Sequence, residues 1–160
     1  MNVAITYLIK DNNILLLFKK TRNYYVGPGG KQDKHEQILQ TATREFKEET
    51  GLDISPKLAA VSAIRLDEAG GKKEYTLSSF YATDFEGELL ERTPEGILSW
   101  QPSGQIQNLS MFAGDKILLK LLLEQIKQDE KIETRYASFV YKDNYKKLVS
   151  YSIDGDENNA

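Results

Sequence analysis

The 160-residue chain contains no cysteine, so neither a disulfide nor a thiolate metal site is open to it. That absence fits a reducing compartment. No excess of basic residues is present either: the net charge is −3. Binding to a nucleic-acid polymer leans on basic patches, so such a polymer is not the expected partner. A small anionic ligand stays possible, because a few local Lys or Arg residues suffice. Long apolar runs are missing as well. The richest stretch, "KILLKLLLEQI", is broken by Lys120 and is too short to span a bilayer. The opening "MNVAITYLIK" lacks the basic start, longer apolar run and small-residue cleavage site of a secretory signal. These absences point to a cytoplasmic protein with no membrane partner. There is no internal repeat and no dividing linker.

What is present reads as one globular domain, with 40% hydrophobic and 28% charged residues. "NVAITYLI" and "ILLLF" form an opening hairpin through the polar turn "KDNN". "NYYVGPGGK" reads as a glycine-rich loop, and residues 37–50 as a helix stopped by Gly51. "KLAAVSAIRLD" and "KEYTLSSFYATDF" are strands joined by "EAGGK". "GELL" and "GILSWQ" are short strands or strand ends. Apolar residues at Ile117, Leu118, Leu121, Leu122 and Ile126 recur at helical spacing, which predicts a core-facing helix from Asp115 to about Lys131. "YASFVYK" and "KKLVSYSI" form a late hairpin. Residues 1–153 are thus one mixed α/β domain, and the polar end, 154–160, is expected to be disordered.

The stretch "TREFKEETGL" poses a problem of charge. On a helix with a step of about 100° per residue, Glu48 and Glu49 fall on either side of Glu45. Like charges at that spacing cost roughly 0.2–0.5 kcal/mol per pair. Leu39, Ala42 and Phe46 occupy the adjoining arc, so the acids border the buried face. Half-buried carboxylates need compensation. Arg44, four residues before Glu48, can serve one of them but not three. A hard divalent cation such as Mg²⁺ would serve all. The alternative is a solvated acidic face with Lys47 as partner.

Reading back from Glu49 widens the pattern. Gly30, Glu36, Arg44, Glu45, Phe46, Glu48, Glu49, Gly51 and Leu52 fill every defined position of G-x5-E-x7-R-E-(apolar)-x-E-E-x-G-(apolar). A chance match in a chain of this length is on the order of one in ten million from average residue usage. The segment "GKQDKHEQILQTATREFKEETGL" therefore resembles the signature of the Nudix hydrolase family, and the strand order around it is similar to that family's α/β/α sandwich. The resemblance implies a mixed sheet, a catalytic loop–helix–loop and a C-terminal helix.

For this chain it also implies a set of roles. Glu45, Glu48 and Glu49 would hold Mg²⁺ (or Mn²⁺) against a diphosphate, with the Gly29 carbonyl assisting. Glu45 would act as general base, oriented by Arg44, and Glu36 would support the loop. Lys31 is a candidate phosphate contact, or equally a solvent-exposed loop lysine. Members of the family often place Gly before the first box glutamate and Ser or Thr after it. Here those places hold His35 and Gln37, a weaker cap. His35, the one histidine, reads as a loop residue.

Outside the box, "TPEGILSWQPSGQI" and "NLSMFAGDKILL" resemble the MutT-type subgroup, which cleaves oxidised purine triphosphates. By that resemblance Glu95, five residues before Trp100, adds a metal ligand, and Phe112 and Asp115 hold the purine. Asp115 also fits as N-cap of the last helix. Lys19 aligns with a ligand-contacting lysine, whereas Val26 stands where the mammalian-type enzyme has a base-reading asparagine. The expected activity is cleavage of a nucleoside triphosphate such as 8-oxo-dGTP to a monophosphate and pyrophosphate. A nucleotide sugar, a dinucleoside polyphosphate or a non-catalytic nucleotide sensor are the alternatives. The partner expected is a small nucleotide; nothing in the composition reports oligomeric state.

Overall fold

A computed structural model describes all residues, Met1–Ala160. The chain begins with β1 (Asn2–Lys10) and β2 (Asn13–Lys19), then two short strands, β3 (Tyr24–Val26) and β4 (Gly29–Lys31). Helix α1 (Ile38–Thr50) follows, then β5 (Lys57–Glu68), β6 (Gly71–Ala82), β7 (Arg92–Thr93) and β8 (Gly96–Pro102). A 3₁₀ turn at Ser103–Asn108 leads to α2 (Ala113–Lys127). The chain closes with β9 (Arg135–Lys142), β10 (Lys147–Ile153) and β11 (Asp156–Asn159).

All eleven strands belong to one mixed sheet, in the order β11-β10-β9-β5-β6-β1-β2-β8-β7, with β3 beside β2 and β4 beside β1. The β1–β6 and β5–β9 pairs are parallel. Strand β1 shows why the sheet carries helices on both faces. Its residues alternate sides, as any strand must, yet Ala4 through Ile9 are all buried. Ala4 packs with Ala42 and Phe80, and Leu8 with Phe46, on the α1 side. Ile5, Tyr7 and Ile9 join Leu118, Leu119 and Leu122 on the α2 side. A strand covered twice needs a near-continuous apolar run, which "VAITYLI" supplies with Thr6 as its one interruption. The result is the α/β/α sandwich expected from the resemblance.

Several expectations need correction. The glycine-rich stretch 23–31 is not loop throughout: Leu17 pairs with Val26 and Ile5 with Gly29, making β3 and β4. "GELL" forms no strand: Glu86, just before it, makes an isolated bridge with Asp53, and the Leu90 N–H donates to Thr50 O at 2.9 Å. Leu39 is not on the buried face of α1 but 47% exposed. Helix α2 starts two residues before Asp115 and ends at Lys127, so Phe112 is its N-cap and Asp115 lies in its first turn. The polar end is ordered as a strand: Asp156 pairs with Ile153 and Asn159 with Ser150 across a turn with Gly155 at φ 89°. No helix is long and apolar enough to cross a membrane.

Candidate active site

Helix α1 is held at its start by Glu36. That carboxylate accepts the Asp33 N–H (3.0 Å), the Thr41 hydroxyl (2.7 Å) and the Arg44 guanidinium through Nε (2.7 Å) and Nη2 (3.0 Å). The Arg44 bond foremost, with Thr41 next, holds its pKa down at about 2. Gln37 caps the helix without Ser or Thr, because its N–H donates to Gln40 Oε1 at 2.8 Å. The last turn closes on Gly51, whose φ of 79° suits the left-handed cap. Lys47 belongs to this end: its Nζ donates to Gly51 O (3.1 Å) and Asp53 (2.8 Å). Lys47 is therefore not the partner of the box glutamates, and the reading of a Lys-neutralised acidic face falls.

The three glutamates differ in setting. Glu45 is half-buried and receives Arg44 Nη1 at 2.8 Å. Its carboxylate lies against Gly30, where a Cβ would stand 2.4 Å from the carboxyl carbon. Only glycine permits that approach without displacing the acid. Glu48 has its side chain 59% exposed and reaches Arg44 at 3.4 Å. Glu49 is 6% exposed and takes one hydrogen bond, from the Gly29 N–H at 3.1 Å. Burial above all, with the charges of Glu95 and Glu45 added, pushes its pKa up to about 8, against the pull of Gly29 and Lys19. Glu95 is exposed at the β7–β8 turn and pairs with Lys19 at 3.1 Å.

These groups meet at a cleft of about 990 Å³. Its polar part is lined by Gly29, Gly30, Lys31, Glu45, Lys19 and Glu95. Its aromatic part holds Tyr75, Phe112, Asp115, Tyr141 and Tyr145. Val26 and Arg22 also line it. Asp115 is 8% exposed, and burial pushes its carboxyl up to about 7. Burial above all, with the neighbouring Asp115 carboxylate second, raises the hydroxyls of Tyr7, Tyr75 and Tyr141. Phe112 meets Tyr24 edge-on at 4.9 Å.

Eight residues marked from the sequence thus line one space: Lys19, Gly29, Gly30, Lys31, Glu45, Glu95, Phe112 and Asp115. Glu49 sits behind Gly29 and Glu48 faces outward, so neither lines the wall. No three His, Asp or Glu side chains stand at metal-holding spacing. The donor chemistry nonetheless suits a hard cation: Glu49 is a buried carboxylate with one hydrogen bond, and Glu45 lies one glycine away. The tyrosines were missed. Tyr141 has a signal, the alternation with Phe139 along β9; a turn residue such as Tyr145 has none.

The NUDIX domain family model matches residues 1–128. The chain belongs to the Nudix family. It is 30% identical over 146 residues to the uncharacterised Nudix hydrolase YvcI of Bacillus subtilis, covering 90% of this chain and 88% of the relative. The crystal structure of a MutT protein from Bacillus halodurans superposes with a TM-score of 0.87 at 34% identity, over 97% of this chain and 98% of that one. A MutT Nudix hydrolase from Burkholderia pseudomallei shares the fold at a TM-score of 0.63 and 24% identity, over 74% of this chain and 95% of that one. This Nudix protein is a hydrolase acting on phosphorus anhydrides, and its structural neighbours are MutT-like. Hydrolases of the family generally need a divalent metal.

Proposed function

We propose that this Nudix hydrolase cleaves a nucleoside triphosphate to a nucleoside monophosphate and pyrophosphate, with an oxidised purine nucleotide such as 8-oxo-dGTP as substrate. The observation that carries the reading is the single cleft joining the Gly29–Gly30–Glu45 corner to the aromatic part around Phe112 and Asp115. Its volume lies at the upper end of the usual range for small-molecule sites, about 300–1,000 Å³.

Glu45, Glu48 and Glu49, with the Gly29 carbonyl and Glu95, are the groups for Mg²⁺ or Mn²⁺. Such an ion, when bound, neutralises phosphate oxygens and acidifies water. Glu45 takes the proton of the attacking water as the new P–O bond forms and the anhydride P–O bond between the nucleoside monophosphate and the pyrophosphate breaks. Arg44 positions it, since the Arg44–Glu36 bonds fix the guanidinium from the other side. Lys19 and Lys31, both on the cleft wall, meet the phosphates. Phe112 supports the base, and Asp115 accepts or shares a proton with purine-edge donors.

The test is kcat/KM with Mg²⁺ across 8-oxo-dGTP, dGTP, ADP-ribose and a dinucleoside polyphosphate. Chromatography identifies the products, and EDTA abolishes turnover until metal is returned. A maximum on 8-oxo-dGTP with pyrophosphate released supports the proposal. Preference for ADP-ribose or a dinucleoside polyphosphate overturns the substrate. Tight nucleotide binding with no turnover on any member favours a sensor.

A further inference from the structure

Strands β9 and β10 lie beyond residue 128, where the family match ends. Their connecting turn nevertheless reaches the cleft. Asp143, Asn144 and Tyr145 have φ of 52°, 49° and 67°, three consecutive residues in the left-handed region. That conformation is uncommon for a non-glycine residue and an outlier for a bulky one. Asp143 and Asn144 suit it; Tyr145 does not.

The tip is tied down. Asn144 N–H donates to Glu68 Oε1 at the far end of β5 (2.6 Å), and Lys146 N–H to Asp143 O (3.0 Å). The Tyr145 ring turns inward and is half-buried. It meets Phe112 edge-on, centroids 6.0 Å apart at 79°, and Tyr141 at 5.7 Å and 63°. Tyr141 in turn accepts the Gly114 N–H at 2.8 Å, which locks β9 to the start of α2, the turn that carries Asp115. The hairpin tip, Phe112 and Asp115 are therefore one rigid corner of the cleft.

We propose that Tyr145 is a specificity-determining residue of this site, its ring forming with Phe112 the corner that holds the aromatic base of the substrate. The proposal rests on the nucleotide reading above. An unfavourable backbone geometry that places an aromatic face on a ligand cleft suits a flat heterocycle. Aromatic faces grip bases by stacking, whereas phosphates seek charge and hydrogen-bond donors.

Steady-state kinetics and calorimetry on Tyr145→Phe, Tyr145→Ala and Tyr145→Gly, in the full chain, decide it. Phe keeps the ring and behaves as wild type. Ala and Gly raise KM for purine triphosphates by about tenfold with kcat within about twofold. They weaken binding of dGMP to the same extent and leave binding of inorganic pyrophosphate unchanged. Tyr145→Gly melts no lower than Tyr145→Ala, because glycine accepts the left-handed backbone. Each of the following overturns the proposal: an unchanged KM in Tyr145→Ala, a loss carried by kcat alone, or equal weakening of pyrophosphate. Should the wild type turn over ADP-ribose and no triphosphate, the function proposed above fails alone. Tyr145 is then judged by the same comparison on ADP-ribose and AMP.

Discussion

Glu49 and Asp115 are both carboxylic acids held away from water, but their surroundings prepare them for different tasks. Glu49 keeps one backbone hydrogen bond and lies near Glu45 and Glu95, so a cation relieves its burial. Glu49→Gln retains an acceptor for the Gly29 N–H and removes the buried charge. We expect turnover to fall by at least about 100-fold while the melting temperature in EDTA does not drop. Glu48→Gln, at an exposed position, is expected to lose turnover comparably without changing the melt. Wild-type rates in both would remove these residues from the metal site. Asp115 has no charge partner at all, and its pKa of about 7 stands above the ordinary 3.8. The folded state therefore holds a proton that the unfolded chain releases. Its stability is full below about pH 4, declines as pH rises to about 7, and stays reduced above. The difference is on the order of 4 kcal/mol. Asp115→Asn should accordingly melt several degrees above wild type at pH 8 and close to it at pH 4, with weaker purine binding. Equal melting shifts at both pH values would count against a strained carboxyl.

At the level of elements, α1 works as a bracket. Its buried side, Ala42 and Phe46, fixes it to β1 and β2, and its charged edge is set by Arg44 between Glu36 and Glu45. Glu36 is thus a splint: it joins the loop at Asp33, the helix at Thr41 and the guanidinium at Arg44. Its depressed pKa means that its contribution is present above pH 4.5 and is lost as pH falls toward about 2. The Glu36→Gln variant should melt below wild type at pH 7, with the gap closing by about pH 2. It should also lose kcat, because Arg44 no longer holds Glu45. A gap that persists at pH 2 would show that Glu36 acts through packing and not through its charge.

For the whole molecule, the middle of the sheet and its β11 edge pose opposite problems. The cleft lies against the middle strands, while β11 is an outer edge whose four residues are all exposed. An unpaired edge invites pairing with another chain, and acidic side chains discourage it. Asp156 and Glu157 on β11 cover the more apolar β10, "KLVSYSI". A chain ending at Gly155 should keep its turnover, since no cleft residue is removed. It should self-associate at concentrations where the full chain does not, as read by sedimentation velocity. A monodisperse truncated protein would show that β11 protects nothing.

Local spacing was enough to place α1, the three hairpins β1–β2, β5–β6 and β9–β10, and the acids bordering a buried helix face. Periodicities of 3.6 and 2 act between near neighbours, so composition over a dozen residues carries them. Strands β3 and β4, three residues each, were invisible because they exist only through their partners β2 and β1. The same holds for Lys47, drawn to the helix end, and for Glu49, buried behind a glycine twenty residues earlier. Tyr145 is the extreme case: its ring meets Phe112 only after β9 docks parallel to β5. Contacts across such separations depend on strand register and crossover, which arise when the whole chain packs and leave no trace in any short segment.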